Sequence, residues 1–222
     1  MNRLQNRDGT FTTDPIEMIE AQAKFESELN KSKSANTKET ILTLLDNIKT
    51  PKLNQEEKTI CDGVLTIEEC YGTLKTFNAN KTPGNDGLSV EFYKQFWYLV
   101  GKPMVQCFNT AFKEGELSTS QRQAVITILD KGKDRTLIQN WRPISLLNVD
   151  YKIVSKSISN RLKIHLPKLI HHNQVGFIKG RNISENLRAI SDILDYTKDF
   201  EMPGFLISID FHKAFNSLEH QF

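Results

Sequence analysis

The sequence predicts an α/β (α+β) fold in which amphipathic helices accompany a few strands. Apolar residues recur at helical spacing in the first half of the chain and again over residues 149–166 and 182–198. The β-branched segment 123–129 is typical of a strand, 141–147 continues as strand or extended chain, and 204–210 is an apolar segment typical of a strand. With 222 residues, of which 38% are apolar and 25% charged, the chain is long enough to bury a sizeable core.

The N-terminal third predicts three helices. Asp14-Pro15 is a favourable helix start, because aspartate can cap a first turn and proline is tolerated within it. A polar segment, 30–40, separates this helix from a short one at 41–48. A capping-box pattern, Thr-x-x-Glu, predicts the third helix over residues 66–77.

The middle of the chain predicts a loop, two helices and a hairpin. The loop is KTPGNDGL at 81–88, a dense turn signal. Ser89 caps the helix that follows, and Pro103 is expected to open a separate one. The two strands predicted at 123–129 and 141–147 flank a basic, turn-rich connection, which indicates a β-hairpin with a cationic tip.

The last third predicts two helices and a strand. An irregular basic segment, HHNQVGFIKGR at 171–181, separates the helix at 149–166 from a helix that a capping box starts at Asn182. The predicted strand, GFLISID, ends in Asp210 and precedes a helix-like segment. The apolar face predicted for the helix at 149–166 comprises Ile153, Val154, Ile158, Leu162 and Leu166.

Positive charge is concentrated in one part of the chain. The net charge of +2 conceals −3 over residues 1–78 (10 Lys/Arg against 13 Asp/Glu) and +5 over residues 79–222 (19 against 14). Residues 130–181 alone carry 11 Lys/Arg against three Asp, a net of +8. Such a concentration is typical of a surface that faces phosphate, and the alternative is a solvated basic face.

The composition argues against several classes of protein. Cys61, Cys70 and Cys107 are odd in number and lack zinc-clip spacing, which favours reduced structural thiols. The glycine-rich loop lacks the Gly-Lys-Ser/Thr of a phosphate-binding P-loop. No apolar run approaches the roughly 18 residues of a membrane helix, and the N-terminus lacks a signal-peptide pattern. We therefore expect an intracellular protein.

Asp210, at the end of the last predicted strand, is a candidate metal ligand. Mg²⁺ takes oxygen ligands, commonly one or two protein carboxylates together with substrate phosphates. The alternative interpretation is an aspartate that caps the following helix.

Four ordered segments resemble the reverse transcriptases of non-LTR retrotransposons, most closely those of the long-interspersed-element type. The resemblance covers about residues 60–222. It implies an incomplete right-hand polymerase fold, with a helical linker or extension over 1–60, an N-terminal segment and fingers over 61–202, and the start of a truncated palm over 203–222. The four segments are KTPGNDGLSVEFYKQFW at 81–97, WRPISLLNVDYKI at 141–153, HHNQVGFIKGR at 171–181 and LISIDFHKAF at 206–215.

The resemblance implies a metal and nucleotide site. Asp210 would be the catalytic ligand of Mg²⁺ or Mn²⁺, with the Phe211 carbonyl as a further ligand. Arg142 would grip the incoming triphosphate, a task suited to a planar guanidinium. Lys131 is a second expected phosphate contact, for which the alternative is a solvated hairpin tip. The remaining nucleotide-binding residues would be His212, Lys213 and Ala214 through their amides, and Phe215, either an aromatic gate against ribose or a core residue.

The resemblance also implies contacts to template and nucleotide from the segment 171–181. Its glycines would permit close backbone approach, and Arg181 would hold a phosphate. His171-His172 is read as part of a basic loop rather than a zinc site. The residues implied are Gln174, Gly176, Phe177, Gly180 and Arg181, with Lys133 from the hairpin tip.

The implied function is RNA-directed DNA polymerisation. The implied partners are an RNA template, a DNA primer and dNTPs, and no membrane is implied. Two departures limit this function. Asn216 stands where the family usually has Asp, and the 222 residues contain no Asp-Asp pair. We therefore expect a truncated or decayed copy that is inactive alone. The alternative is a non-catalytic RNA- or DNA-binding remnant of such a polymerase.

Overall fold

The structure is a computed structural model that describes residues 3–5, 9–31, 38–46, 48 and 50–211. Helices dominate these residues and strands are few and short, which confirms the α+β class. The helices are α1 (Pro15–Leu29), α2 (Lys38–Asp46), α3 (Gln55–Asp62), α4 (Ile67–Lys75), α5 (Val90–Glu114), α6 (Val149–Leu169) and α7 (Ile183–Asp199). The strands are β1 (Leu4–Gln5), β2 (Phe11–Thr12), β3 (Ala124–Asp130) and β4 (Trp141–Leu147).

The chain divides into two compact units. The hairpin unit comprises Met1–Lys49, Ile128–Ile144 and Pro203–Phe222, and the helical unit comprises Thr50–Thr127 and Ser145–Met202.

The core of the helical unit lies between α4, α5 and α6. Cys70, Leu74, Phe108 and Ile153 are completely buried in it. Removing a large apolar side chain from water stabilises a fold by about 1.5–3 kcal/mol, so these residues carry much of the stability. Thr66 caps α4 by accepting a hydrogen bond from the Glu69 amide, as the sequence predicts.

The prediction of two successive helices after Ser89 is confirmed, but the second helix does not begin at Pro103. Within α5, two helices meet at a kink where Phe96 is non-helical (φ −107°, ψ 18°), and Pro103 lies inside the second helix. Proline removes one helical hydrogen bond. Buried side chains on both sides of it, among them Trp97, Val105 and Phe108, keep the element continuous.

The apolar face predicted for α6 is only partly correct. Ile153 is buried, whereas Leu162 is 43% exposed and the polar residues Ser157 and His165 are buried instead. The Ser157 hydroxyl donates to Thr73 Oγ1 at 2.8 Å on α4, which satisfies a polar group where the two helices meet. Periodicity identifies an apolar stripe but not a buried polar pair within it.

Arg161 of α6 ties this helix to the connection between α3 and α4. Its Nε and Nη2 donate to the two carboxylate oxygens of Glu69 at 2.7 and 2.6 Å. It also donates to the carbonyls of Cys61, Gly63 and Val64. Glu69 therefore binds Arg161, and its carboxylate is not used for the reciprocal half of the capping box that the sequence predicts.

The β-hairpin is confirmed, because β3 and β4 pair in a two-stranded sheet. In the hairpin unit, β1 and β2 form a second, antiparallel pair, and the Gln5 amide donates to the Thr136 carbonyl at 2.8 Å. The short sheet therefore attaches to the hairpin tip.

The strand predicted at 204–210 is absent from the structure. These residues lie in neither helix nor strand, and Leu206, Ile207 and Ile209 are between 71% and 79% exposed. A strand needs neighbours that pair with its backbone, and none of the described residues does so here. The prediction is therefore wrong for this structure.

The three cysteines are unpaired, as the sequence predicts. Cys61, Cys70 and Cys107 are free thiols, and burial raises the pKa of Cys70. Within the described ranges, no helix is both long enough and apolar enough to cross a bilayer.

Candidate functional site

The hairpin tip is closed by its own polar contacts. Asp130 accepts hydrogen bonds from the Gly132 amide at 2.7 Å and from Arg135 Nε at 2.6 Å. The Gly132 amide is the main reason that the pKa of Asp130 is lowered. Gly132 has φ +73°, a conformation that favours glycine. The tip is thus a defined loop that holds a carboxylate in its ionised form.

The two tip lysines differ in their surroundings. Lys131 is half-buried and its ammonium donates to the Gln139 carbonyl at 2.6 Å within the tip. Lys133 is exposed. Lys131 therefore helps to shape the tip, whereas Lys133 is open to solvent on it.

Arg142 is exposed on β4 because of the alternation along the strand. Its neighbour Trp141 is 9% exposed, and the indole Nε1 donates to the Arg135 carbonyl at 3.0 Å. Successive strand residues point to opposite faces, so an anchored Trp141 places Arg142 on the outer face. The guanidinium is accordingly accessible to an anionic ligand.

Asp210 and Phe211 are exposed at the end of the described residues. The carboxylate and the adjacent carbonyl are oxygen donors of the kind that Mg²⁺ prefers, but a complete site needs more ligands than these. No cluster of three or more His, Cys, Asp or Glu suited to a metal occurs within residues 3–5, 9–31, 38–46, 48 and 50–211. His212, Lys213, Ala214, Phe215 and Asn216 lie outside the described residues.

The segment 171–181 is built around Arg181 rather than around an open cationic group. Nη1 donates to the carbonyls of His171 (2.5 Å) and Gln174 (2.8 Å), and Nη2 donates to those of Pro167 and Ile170 (both 2.9 Å). The sequence-based expectation was a phosphate contact. The structure gives both terminal nitrogens of Arg181 backbone partners.

The other residues predicted in this segment are accessible. Gln174 and Gly176 are exposed, and the Phe177 side chain is 98% exposed at a backbone φ of +63°. Gly180 has φ +84°, which explains why glycine stands there. These residues belong to the helical unit, whereas Lys131, Lys133, Arg142 and Asp210 belong to the hairpin unit.

About half of the positive charge in residues 130–181 already has partners. Lys156 lies over the Phe77 ring at 4.6 Å, and Lys168 pairs with Glu57 at 2.7 Å. The concentration of charge is therefore partly structural, contrary to the simple expectation of a phosphate-facing surface. The partnered residues are Lys131, Arg135, Lys156, Arg161, Lys168 and Arg181.

One polar junction was missed by sequence reasoning. Asn148, at the start of α6, is buried, and its amide nitrogen donates to the Ser120 carbonyl at 3.2 Å. Its Oδ1 accepts a long hydrogen bond, 3.4 Å, from the Asp86 amide in the loop 81–88. Gly84 of that loop leaves no room for a side chain, because a Cβ would lie 2.6 Å from the Leu147 carbonyl carbon. The dense turn signal marked the loop, but not what it packs against.

A carboxylate also lies beside this junction. Burial raises the pKa of Asp150 at the N-terminal end of α6, and Asp86 adds to the effect. Burial also raises the pKa of Tyr93, with further contributions from Asp150 and Asp86. Because Asp is common in the first turn of a helix, sequence alone gave no signal that this one is buried.

The chain is similar to known proteins. Residues 128–222 match the reverse transcriptase (RNA-dependent DNA polymerase) family. The chain is 40% identical over 172 residues, 78% of its length, to the transposon TX1 uncharacterized 149 kDa protein of Xenopus laevis. It is 24% identical over 188 residues, 83% of its length, to a probable RNA-directed DNA polymerase from transposon BS of Drosophila melanogaster.

The chain spans only 13% and 20% of the length of these two relatives. The family match begins inside β3, and it includes the hairpin tip, Arg142, the segment 171–181 and Asp210. Over residues 128–222, the chain belongs to the reverse transcriptase family.

Proposed function

We propose that this chain contributes the fingers and the first palm motif of an RNA-directed DNA polymerase. The supporting observation is the family match over residues 128–222, in which an exposed Arg142 precedes an exposed Asp210. The partners would be an RNA template, a DNA primer and dNTPs, in the nucleus or in a cytoplasmic ribonucleoprotein. Residues 1–60 would form a helical extension, 61–202 the N-terminal segment and fingers, and 203–222 the start of the palm.

Arg142 would bind the incoming triphosphate. Its guanidinium is exposed beside the anchored Trp141, and arginine can donate two parallel hydrogen bonds to phosphate oxygens. Lys131 and the amides of His212, Lys213 and Ala214 would add phosphate contacts, with Phe215 against the sugar, and Lys133 would contact the template. For Lys131 this requires that its ammonium leave the Gln139 carbonyl.

Asp210 and the Phe211 carbonyl would hold Mg²⁺ or Mn²⁺. When bound, such metal ions lower the pKa of the primer 3′-hydroxyl and neutralise the leaving pyrophosphate. Gln174, Gly176, Phe177 and the segment around Arg181 would contact the template.

We expect the 222-residue polypeptide alone to bind nucleic acid without extending a primer. Two-metal chemistry needs several carboxylates, and the sequence contains no Asp-Asp pair. In this form the polypeptide would have the alternative function, which is to bind nucleic acid without catalysis. Mg²⁺-dependent primer extension that disappears in Asp210→Ala would contradict this expectation.

Binding of an RNA template annealed to a DNA primer tests the proposed function. The affinity should fall steeply with salt, with a slope of about 0.7–0.9 per phosphate contact. Arg142→Ala should leave this affinity unchanged and weaken the binding of a dNTP added to the complex, because the guanidinium is the proposed triphosphate contact. The control is Lys163→Ala, which removes an exposed charge of α6 that has no proposed ligand. If the wild-type polypeptide showed no affinity at low salt, the proposal would be abandoned.

A further inference from the structure

Arg181 closes the C-terminal end of α6. The last carbonyls of a helix lack intrahelical partners, and a cation near them is favourable. Arg181 donates to Pro167 and Ile170 at this end and to His171 and Gln174 in the segment that follows. A guanidinium has five N–H donors, and these four contacts leave only the Nε–H. A bidentate grip on phosphate would require the segment to open.

The closed segment presents one aromatic ring outward. Ile178 is 7% exposed and anchors the segment, whereas its neighbour Phe177 is 98% exposed. The φ of +63° at Phe177 is costly for a bulky residue and persists only where surrounding contacts impose it. The Arg181 contacts and the buried Ile178 are such constraints. Strain that holds an aromatic ring in solvent suggests a ligand for that ring.

The chemistry around Phe177 favours single-stranded nucleic acid. Residues 171–181 contain Lys179, Arg181 and two histidines but no Asp or Glu, and Lys179 and both histidines are exposed. An aromatic ring within a cationic, acid-free segment is the combination on which unpaired bases stack. A purely apolar protein partner would not need this charge.

We propose that Arg181 is a positioning residue, which holds the segment 171–181 so that the Phe177 ring stacks on an unpaired nucleobase. The inference rests on the proposed function and assigns Arg181 a different task from the phosphate contact expected from the sequence. Phe177 contacts the base, and Arg181 acts through the backbone carbonyls.

A pair of matched oligonucleotides tests the stacking. The 222-residue chain is titrated with a single-stranded RNA 12-mer and with its abasic counterpart, which has the same phosphates. Phe177→Ala should weaken binding of the base-bearing strand about tenfold and leave the abasic strand unaffected, because stacking contributes roughly 1–3 kcal/mol per base and 1.4 kcal/mol is tenfold. The control, Tyr98→Ala, removes a 77% exposed ring of α5 and should change neither affinity.

The same oligonucleotides separate the two tasks of Arg181. For a positioning residue, Arg181→Ala and Arg181→Lys both reproduce the Phe177→Ala loss on the base-bearing strand, with the salt slope unchanged. For a phosphate ligand, Arg181→Ala weakens both strands and lowers the slope by about 0.7. Urea unfolding checks that the variants are folded. In Phe177→Trp, quenching of the new indole by the base-bearing strand alone reports stacking without altering Arg181.

The outcomes are decisive. Phe177→Ala with unchanged affinity for the base-bearing strand, or with an equal loss on both strands, overturns the stacking. If the wild-type chain binds neither oligonucleotide at low salt, the proposed function fails with it. Salt-dependent binding that ignores Phe177 removes only this inference.

Discussion

Two apolar regions of the chain behave differently. The core between α4, α5 and α6 buries Phe108 completely, whereas the segment 203–211, which is equally apolar in sequence, leaves Phe205 99% exposed. A helix satisfies its backbone hydrogen bonds internally and needs only a surface for its apolar face. A strand needs neighbours for its backbone as well as its side chains. Apolar character therefore predicts burial only when the backbone also has its partners.

The largest expected effect is on the free energy of unfolding, and it comes from replacing one phenylalanine in each region by alanine. Phe108→Ala should lower the free energy of unfolding by about 3–5 kcal/mol, because it opens a cavity in a close-packed core. Phe205→Ala should change it by less than about 0.5 kcal/mol, because the ring is in solvent. Urea denaturation followed by circular dichroism measures both. A large loss for Phe205→Ala would mean that the segment is packed in solution, and the contrast would be wrong.

The elements that the sequence predicts well are those with local causes. The caps at Asp14, Thr66 and Asn182 begin the helices where the sequence places them, and the hairpin forms between the two predicted strands. The helix α3 was missed, although Asn54 and Glu57 form a complete capping box at its start. That signal was local and could have been read.

Long-range partners account for most of what sequence could not predict. Nothing in the pattern around Arg161 indicates that it meets Glu69 and three carbonyls, because these partners are about a hundred residues away in sequence. Arg181 and Arg142 both lie in the basic stretch 130–181, yet Arg181 has four carbonyl partners and Arg142 is exposed. Counting charges identifies a basic stretch but cannot separate charges that hold the fold from charges available to a ligand.

Two glycine substitutions test whether a segment of irregular backbone is packed. The loop 81–88, like the segment 203–211, is neither helix nor strand, but it packs against Asn148. Gly84→Ala should cost about 1–3 kcal/mol of unfolding free energy, because the new methyl group meets backbone atoms that cannot rotate away. Gly72→Ala on α4 is the control, since its Cβ meets nothing within 4 Å.

For Gly72→Ala we expect a gain of about 0.5–1 kcal/mol, because alanine is the better helix former. The two substitutions should thus change stability in opposite directions under the same urea denaturation. Equal and small effects would show that the loop does not pack tightly on the start of α6.

The smallest expected effect concerns a carboxylate in each region. Burial raises the pKa of Asp150, so the folded state favours the protonated carboxyl and disfavours the charged one. The stability that the protonated carboxyl contributes is therefore lost as pH rises through the folded-state pKa. Asp150→Asn should therefore stabilise the chain at pH 7 by less than about 1 kcal/mol, since the amide oxygen can still accept from the Tyr151 amide. The advantage over wild type should shrink towards pH 3, where the aspartate is protonated. Asp210→Asn, at an exposed position, should match wild type at both pH values. An advantage for Asp150→Asn that grew in acid would reverse the sign and show that folding favours the charged carboxylate, as expected for an aspartate that stabilises the N-terminal end of α6.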